Sequence, residues 1–367
     1  MDFEVVCYVN AAQNLYHGSL IYTGLCELEK SGVAKVRFQS PRPEKSFCVD
    51  KSHIICAEVK CTTRRTTLLV AMDLSDHSDA ISMVTLQHCD VYLKRSYYSP
   101  DLMNIPNELR HKIIPFGLNF SCRSAASAWS VLGKLVPQYS IEILCAVWRG
   151  FRSVDGYGRM LRQYLTTPDI GGFERDPDEI GENVVLFQTR VWQPGEDSDN
   201  IEEINQERVA LVRALKRAFG KRFKGGLVPT DFAKERYPAE VSSHEPRHAK
   251  YIAWSRSPLI GINSRGLHHS IAFKLGEYFA SSKCIVTCAL RNELPVPLVD
   301  GQTILIYKTP EECVQHCADL LNDPQRMIAL RREAWSYYLR EIKPSAHVRN
   351  CLFRAAGNPT CRGVPSG

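Results

Sequence analysis

Residues 261–295 read GINSRGLHHSIAFKLGEYFASSKCIVTCALRNELP. With the preceding PLI they form an apolar run, PLIGIN, then a turn containing Gly266, an amphipathic helical pattern, and a second apolar run, CIVTC. Strand, turn, helix and strand make a βαβ unit, and repeated βαβ units imply a parallel sheet. In such a unit the turn brings backbone N–H groups and the positive end of a helix to the C-terminal edge of the sheet, where anions bind. Phosphate is the ligand to expect there. Arg265, Gly266, Leu267, His268 and Lys274 stand at that end; the alternative for the charged pair is solvated surface.

Glu277 follows Lys274 on the helix, with Leu275, Phe279 and Ala280 as apolar neighbours. A carboxylate in that setting needs a partner. Vicinal hydroxyls, as on a ribose, would serve; so would an i, i+3 pair with Lys274.

Outward from this stretch the βα rhythm continues. NVVLFQTRVW reads as a strand, IEEINQERVALVRALKRAFG as a long amphipathic helix and FKGGLVP as a strand; RHAKYIAWSRS is helical and TILIY a strand. Helices follow from Pro310 to Asn322 and from Pro324 to Arg340, then KPSAHVRNCLFRAA, helix-like, and a Gly/Pro tail. Towards the N-terminus, FEVVCYV and AKVRFQ are strands around a helix in LIYTGLCELEKSG. HIICAEVK, TTLLVAMD, DVYLKRSYY and KIIPFGLNF are further strand candidates, with HSDAISMVTLQHC as a helix. The rhythm weakens between Cys122 and Glu182, where SAASAWSVLGKLV and SIEILCAVWRGF suit helices and TTPDIGGFERDPDEIGEN a loop. The expected fold is α/β with two Rossmann-like domains. The segments are 1–130, 131–182 as an irregular connection, 183–345 as the second domain, and 346–367 as a C-terminal helix and tail.

Composition agrees with two ordinary cores: 367 residues, 44% hydrophobic and 23% charged. The net charge of +6, from 46 basic and 40 acidic residues, is spread along the chain and favours anionic ligands. The one basic run, Lys216 to Lys224, lies on an amphipathic pattern, so nucleic acid is not an expected partner. No ~20-residue apolar window suggests a membrane span. MDFEVVCYVN lacks a basic, then apolar, secretory leader, which points to a reducing cytoplasm and to thiols for the 14 cysteines. Cys284 with Cys288 and Cys313 with Cys317 are too sparse for a zinc site, and no Asp-x-Asp triplet suits a divalent ion. No metal and no cofactor beyond a donor substrate are expected.

The turn, the helix carrying Glu277-Tyr278-Phe279-Ala280 and the strand CIVT resemble the donor-binding segment of GT-B glycosyltransferases. DGQTILIYKTPEECVQHCADLLNDPQRMIALRREAWSYYLREIKP is similar to the same superfamily's tail, and the resemblance covers about Asn183 to Asn350. It implies a cleft between the two domains and a metal-independent, hexosyltransferase-like enzyme. Such an enzyme moves a sugar from a nucleotide-diphosphate sugar to a hydroxyl of a glycan or small-molecule acceptor. Retaining members carry two glutamates eight positions apart. Glu277 matches the second, which contacts ribose, and the first position is His269, which leaves the stereochemical outcome open. His268 or His269 would then donate to a sugar hydroxyl or a phosphate oxygen. Arg190, ending VVLFQTR, resembles the basic residue that reaches the donor diphosphate.

On the acceptor side, MDLSDHSDAIS carries Asp73, Asp76, His77 and Asp79 past the end of a strand. Asp or His there suits a general base; Ser75 or Asp76 capping the next helix is the alternative. The loop from Asn10 to Ser19, with Tyr16, His17 and Gly18, and YLKRSYY, with Lys94 and Arg95, are further candidates. A nucleotide-sugar epimerase and a non-catalytic nucleotide-sugar or protein-binding module are the competing functions.

Overall fold

The computed structural model describes residues 1–9, 12–49, 51–149, 155–196, 200–243 and 248–358. The start of the Asn10–Ser19 acceptor-side candidate and most of the Gly/Pro tail fall outside them. The chain forms two compact units: Met1–Ile170 with Asn292–Val296 and Arg340–Gly367, and Gly171–Arg291 with Pro297–Leu339.

The first unit holds one sheet of six strands: β1 (Phe3–Tyr8), β2 (Ala34–Gln39), β3 (Ile54–Cys61), β4 (Thr66–Asp73), β5 (Val91–Lys94) and β6 (Ile113–Pro115), in the order β2-β1-β3-β4-β5-β6. The sheet is not wholly parallel, as the βαβ opening led one to expect: β3 runs antiparallel to both β1 and β4. The loop from Thr62 to Arg65 is too short for a crossover, so β3 and β4 can only form a hairpin. Arg65 makes the turn with φ 52°. Its alternate residues Val70 and Met72 and the buried β1 residues Phe3, Val5 and Cys7 show the period-2 pattern that marked these runs as strands.

Two local expectations are corrected. Tyr16, His17 and Gly18 lie in the first turns of a helix, Leu15–Lys30, and not in a loop; the Asn14 carboxamide oxygen accepts from the N–H groups of Tyr16 and His17 and so starts the helix early. The two helical runs after Cys122 join into one helix, Ala125–Arg149, which passes through Pro137.

The Leu15–Lys30 helix packs against the Pro344–Gly357 helix so closely that a Cβ on Gly24 would lie 2.3 Å from the Pro344 carbonyl oxygen and 2.6 Å from Val348 Cγ2. A backbone oxygen has no rotamer with which to yield. Gly24→Ala is therefore expected to cost about 1–3 kcal/mol, the range for overpacking, read as a lower urea midpoint.

The second unit holds a wholly parallel sheet of β7 (Glu182–Thr189), β8 (Phe223–Leu227), β9 (Pro258–Asn263), β10 (Cys284–Cys288) and β11 (Leu305–Tyr307), in the order β11-β10-β9-β7-β8. A parallel bridge from Leu227 to Val241 adds the remnant of one more row beyond β8. With that row the order is that of the doubly wound fold, whose strand order reverses here between β7 and β9. The core comprises Val185, Phe187, Ile260, Ile262 and Val286 from the strands with Leu211, Leu215, Cys313 and Cys317 from helices. The pairing of Cys313 and Cys317 one turn apart is thus a buried face, and both are free thiols. Among the described residues no helix is long and apolar enough to cross a membrane.

Candidate functional site

In a doubly wound sheet the ligand crevice opens outside the C-terminal ends of the strands at the point where the order reverses. Here that places Gln188, Thr189 and Arg190 at the end of β7 beside Asn263, Ser264 and Arg265 at the end of β9. The two strand ends are tied together by Arg208 from the Ile201–Phe219 helix. Its Nη1 donates to the Arg190 carbonyl and its Nη2 to the Arg265 carbonyl, each at 2.6 Å, and its guanidinium lies 4.2 Å from the centre of the Trp192 ring. Burial pushes this guanidinium down to about 10. Arg208 was not singled out from the sequence, although an arginine on the row of Ile204, Leu211 and Leu215 is a readable signal: a charge on an apolar face needs partners.

Lys274 and Glu277 stand one turn apart on the Phe273–Ala280 helix. Lys274 donates its ammonium to the Gln188 carbonyl. Burial pushes its pKa down to about 8, with Glu277 opposing the shift and Arg208 adding to it. Burial likewise pushes the Glu277 carboxyl up to about 7, against Lys274 and Lys283. The i, i+3 pair is not made: among the described residues no ion pair or hydrogen bond reaches the Glu277 carboxylate. The Gln188 amide beside them is buried, and neither its oxygen nor its nitrogen has a partner among the described residues.

The turn between β9 and this helix differs from expectation. The helix begins only at Phe273, with Ala272 at its N-cap and no side chain capping it. His268 and His269 therefore lie ahead of the helix in a closed turn, where the Gly266 N–H bonds the Ser270 carbonyl at 3.0 Å and the Ser270 N–H bonds the Leu267 carbonyl at 2.9 Å. Both histidines take left-handed backbone, φ 53° and 57°. Two such residues in succession, neither of them glycine, are strained, and strain of this kind concentrates at functional sites.

Arg265 and Arg190 are not bare cations. Arg265 is bridged by Glu203 at 3.1 Å and Glu207 at 2.8 Å, and the exposed Arg190 by Glu196 at 3.2 Å. Arg265 and His269 line a cavity of ≈ 330 Å³ together with Leu211, Asn263, Cys288 and Tyr307. The Tyr307 hydroxyl, donating to the Asn263 carbonyl at 3.0 Å, and the Asn263 amide, donating to Thr287 at 2.9 Å, fix its floor. Lys274 and Glu277 do not line this cavity; Lys274 reaches instead to the end of β7 at the Gln188 carbonyl.

In the first unit, Asp73 ends β4 wholly buried. It accepts from Lys94 at 2.8 Å, from the Tyr92 hydroxyl at 2.7 Å and from the Ser75 N–H at 2.8 Å. Three of the carboxylate's roughly four lone-pair positions are thus taken within the protein and the side chain is fully buried, an arrangement that suits a structural ion pair more than an exposed proton acceptor. Asp76 pairs with Arg95, and the His77 N–H bonds Ser75 Oγ. Neither Ser75 nor Asp76 caps the following helix, Met83–His88; Ser82 does. His53, overlooked in the sequence because it opens a strand-like run, stands 3.7 Å from Asp73. Burial first, then Arg95, lowers the His17 imidazole against the pull of Asp76. Burial also lowers His53, against Asp73. Both rings are therefore neutral at neutral pH and able to take a proton. Among the described residues no group of three or more His, Cys, Asp or Glu side chains is placed to hold a metal ion.

No protein-family model and no curated protein matches the chain. Among solved structures it is similar to the C-terminal domain of a glycosyl transferase group 1 family protein from Francisella tularensis, at 12% identity over 48% of this chain and 98% of that one, TM-score 0.34. It is similar to a glycosyltransferase from Rickettsia africae at 10% identity over 92% and 81%, TM-score 0.43. A UDP-GlcNAc 2-epimerase from Neisseria meningitidis, bound to UDP-GlcNAc, is similar at 10% identity over 74% of this chain and 62% of that one, TM-score 0.36. The solved structures that the chain resembles are mainly GT-B glycosyltransferases, joined by UDP-GlcNAc 2-epimerases.

Proposed function

We propose that the chain is a glycosyltransferase that moves a sugar from a nucleotide-diphosphate sugar to an acceptor hydroxyl without a metal ion. The observation that carries this reading is Glu277: a carboxyl raised towards neutrality by burial, with no hydrogen-bond partner among the described residues, one turn from a lysine at the reversal point of a doubly wound sheet. Hydroxyls of a ribose supply the donors it lacks, and the Lys274 ammonium supplies the charge for a diphosphate. In the transfer, the acceptor hydroxyl loses its proton as its oxygen bonds the anomeric carbon. The bond from that carbon to the phosphate oxygen breaks, and the nucleoside diphosphate leaves with the electron pair. His269 and the less exposed Ser270 turn are suited to the leaving side, with Arg190 and Arg265 shared between phosphate and their glutamates. Asp76, His77, His17 and His53 are the proton acceptors available in the first unit.

A thermal-shift screen of the chain against UDP-, GDP-, ADP- and dTDP-sugars tests the donor: at 100 times its dissociation constant a ligand stabilises by about 2.7 kcal/mol. Nucleoside diphosphate released only when an acceptor is added, and unchanged by EDTA, supports a metal-independent transferase. An isomerised donor formed without acceptor would mean an epimerase, and binding without turnover a non-catalytic module.

A further inference from the structure

The cavity of ≈ 330 Å³ at the ends of β9, β10 and β11 falls in the size range of small-molecule sites. Its walls divide by chemistry. Leu211, Cys288, Leu290 and the Tyr307 ring are apolar, while Asn263, Ser264 and Ser270 are polar and only 2%, 8% and 6% exposed. Asn263 spends its amide nitrogen on Thr287. Among the described residues nothing donates to Asn263 Oδ1, and the hydroxyls of Ser264 and Ser270 have no partner. Unlike the Gln188 amide, these three oxygens are not sealed from solvent, so they open into the cavity that their residues line. The exposed Lys308 and His269 side chains, also without partners among the described residues, line its mouth.

These groups select the ligand. A buried acceptor set among apolar walls calls for a donor that carries apolar surface beside it. A sugar hydroxyl would satisfy Asn263 Oδ1 but leave Leu211 and Cys288 facing water, and a phosphate oxygen, which only accepts, would leave Asn263 Oδ1 unpaired. An acetamido group answers both demands, because its N–H donates and its methyl packs on Leu211 and Cys288. The Ser264 and Ser270 hydroxyls give and take hydrogen bonds and so suit ring hydroxyls, and the Lys308 ammonium suits a phosphate at the mouth. We propose that this cavity takes the sugar to be transferred, and that this sugar is an N-acetylated hexosamine bound by its amide N–H to Asn263 Oδ1.

The identification with the transferred sugar rests on the glycosyltransferase reading above, in which Glu277 takes the ribose. Lys274 reaches β7, on the other side of β9 from β10 and β11, so a nucleoside held at Glu277 on the same helix leaves this cavity to the sugar. The preference for an acetamido group depends on the cavity alone.

The test is calorimetric titration of the full chain with N-acetylglucosamine 1-phosphate, N-acetylgalactosamine 1-phosphate, glucose 1-phosphate and galactose 1-phosphate, with nucleoside monophosphates titrated separately. At least one acetylated sugar phosphate should bind at least tenfold tighter than its hydroxyl counterpart, which lacks the apolar packing. Asn263→Leu removes the acceptor and should cut that preference below threefold. Cys288→Phe fills the cavity from a half-buried position and should weaken the acetylated ligand at least tenfold, which decides the matter even if Asn263→Leu does not fold. Any nucleoside monophosphate that binds should keep its affinity within twofold in Cys288→Phe. Equal affinity for acetylated and hydroxyl sugars, no sugar phosphate bound, or binding undiminished in Cys288→Phe overturns the proposal. A tenfold loss of nucleotide affinity in Cys288→Phe would put the base in the cavity and overturn it too. Preference for the acetylated sugar in a chain that shows no sugar transfer keeps the cavity's specificity and removes the transferase reading.

Discussion

Glu277→Ala is expected to weaken binding of the donor found in the nucleotide-sugar screen at least tenfold, because hydrogen bonds to a charged acceptor are each worth about 1.5–3 kcal/mol. Glu277→Gln keeps the shape and one acceptor oxygen, so its loss should be smaller. The carboxyl must be ionised to accept from both ribose hydroxyls, and burial raises it to about 7. Donor affinity in the parent should therefore rise from pH 6 to pH 8, and in Glu277→Gln the rise should flatten. The same residue controls stability in the opposite sense. Between its unfolded value of 4.5 and about 7 the folded chain keeps a proton that the unfolded chain has lost. Stability conferred by Glu277 is thus highest at low pH and falls as pH rises through 7, a loss of about 2–3 kcal/mol once partial solvent contact is allowed for. Glu277→Gln should accordingly stabilise the ligand-free chain at pH 8 and leave it unchanged at pH 4. Titration calorimetry and urea denaturation at the two pH values check both; equal donor affinity in Glu277→Ala and the parent would remove Glu277 from the site.

The second large effect is expected at the buried ion pair of the first unit. Removing one partner, by Lys94→Met or Asp73→Ala, leaves an uncompensated charge in a dry interior and should cost about 3–5 kcal/mol, read as a fall in the urea midpoint. Asp73→Leu together with Lys94→Met should recover much of that loss, since neither charge remains. Asp76 is the contrast. It is half-exposed in its pair with Arg95, so Asp76→Ala should change stability by less than about 1 kcal/mol and, if it assists proton transfer, show its effect in turnover. Loss of turnover at unchanged stability in Asp73→Ala would reverse these roles.

Much of this protein was legible in its residues. Strands at Glu182–Thr189, Pro258–Asn263 and Cys284–Cys288 follow from short apolar runs, and the Ile201–Phe219 helix from its period and its Asn200 and Gly220 ends. That Glu277 stands beside apolar residues followed from its neighbours on one helix, and in the fold it is half-buried among Leu275, Tyr278 and Phe279. Local patterns also misled where a longer-range constraint intervened: the His268–His269 pair reads as the start of a helix, yet the Gly266–Ser270 closure holds it in left-handed backbone ahead of one.

The sequence by itself thus determined which segments are strands and helices, that they alternate into two α/β units, and that a carboxylate and a lysine stand one turn apart on a helix beside its apolar face. Periodicity records which face of an element meets the core, and nothing more is needed for those conclusions. Only the tertiary structure decided that Asp73 is spent on Lys94, 21 residues away, that Arg208 ties Arg190 to Arg265, and that β3 is reversed. Each of these is a pairing between residues distant in the chain, set by how the elements pack and by the high cost of leaving a buried polar group alone, and no local pattern encodes it.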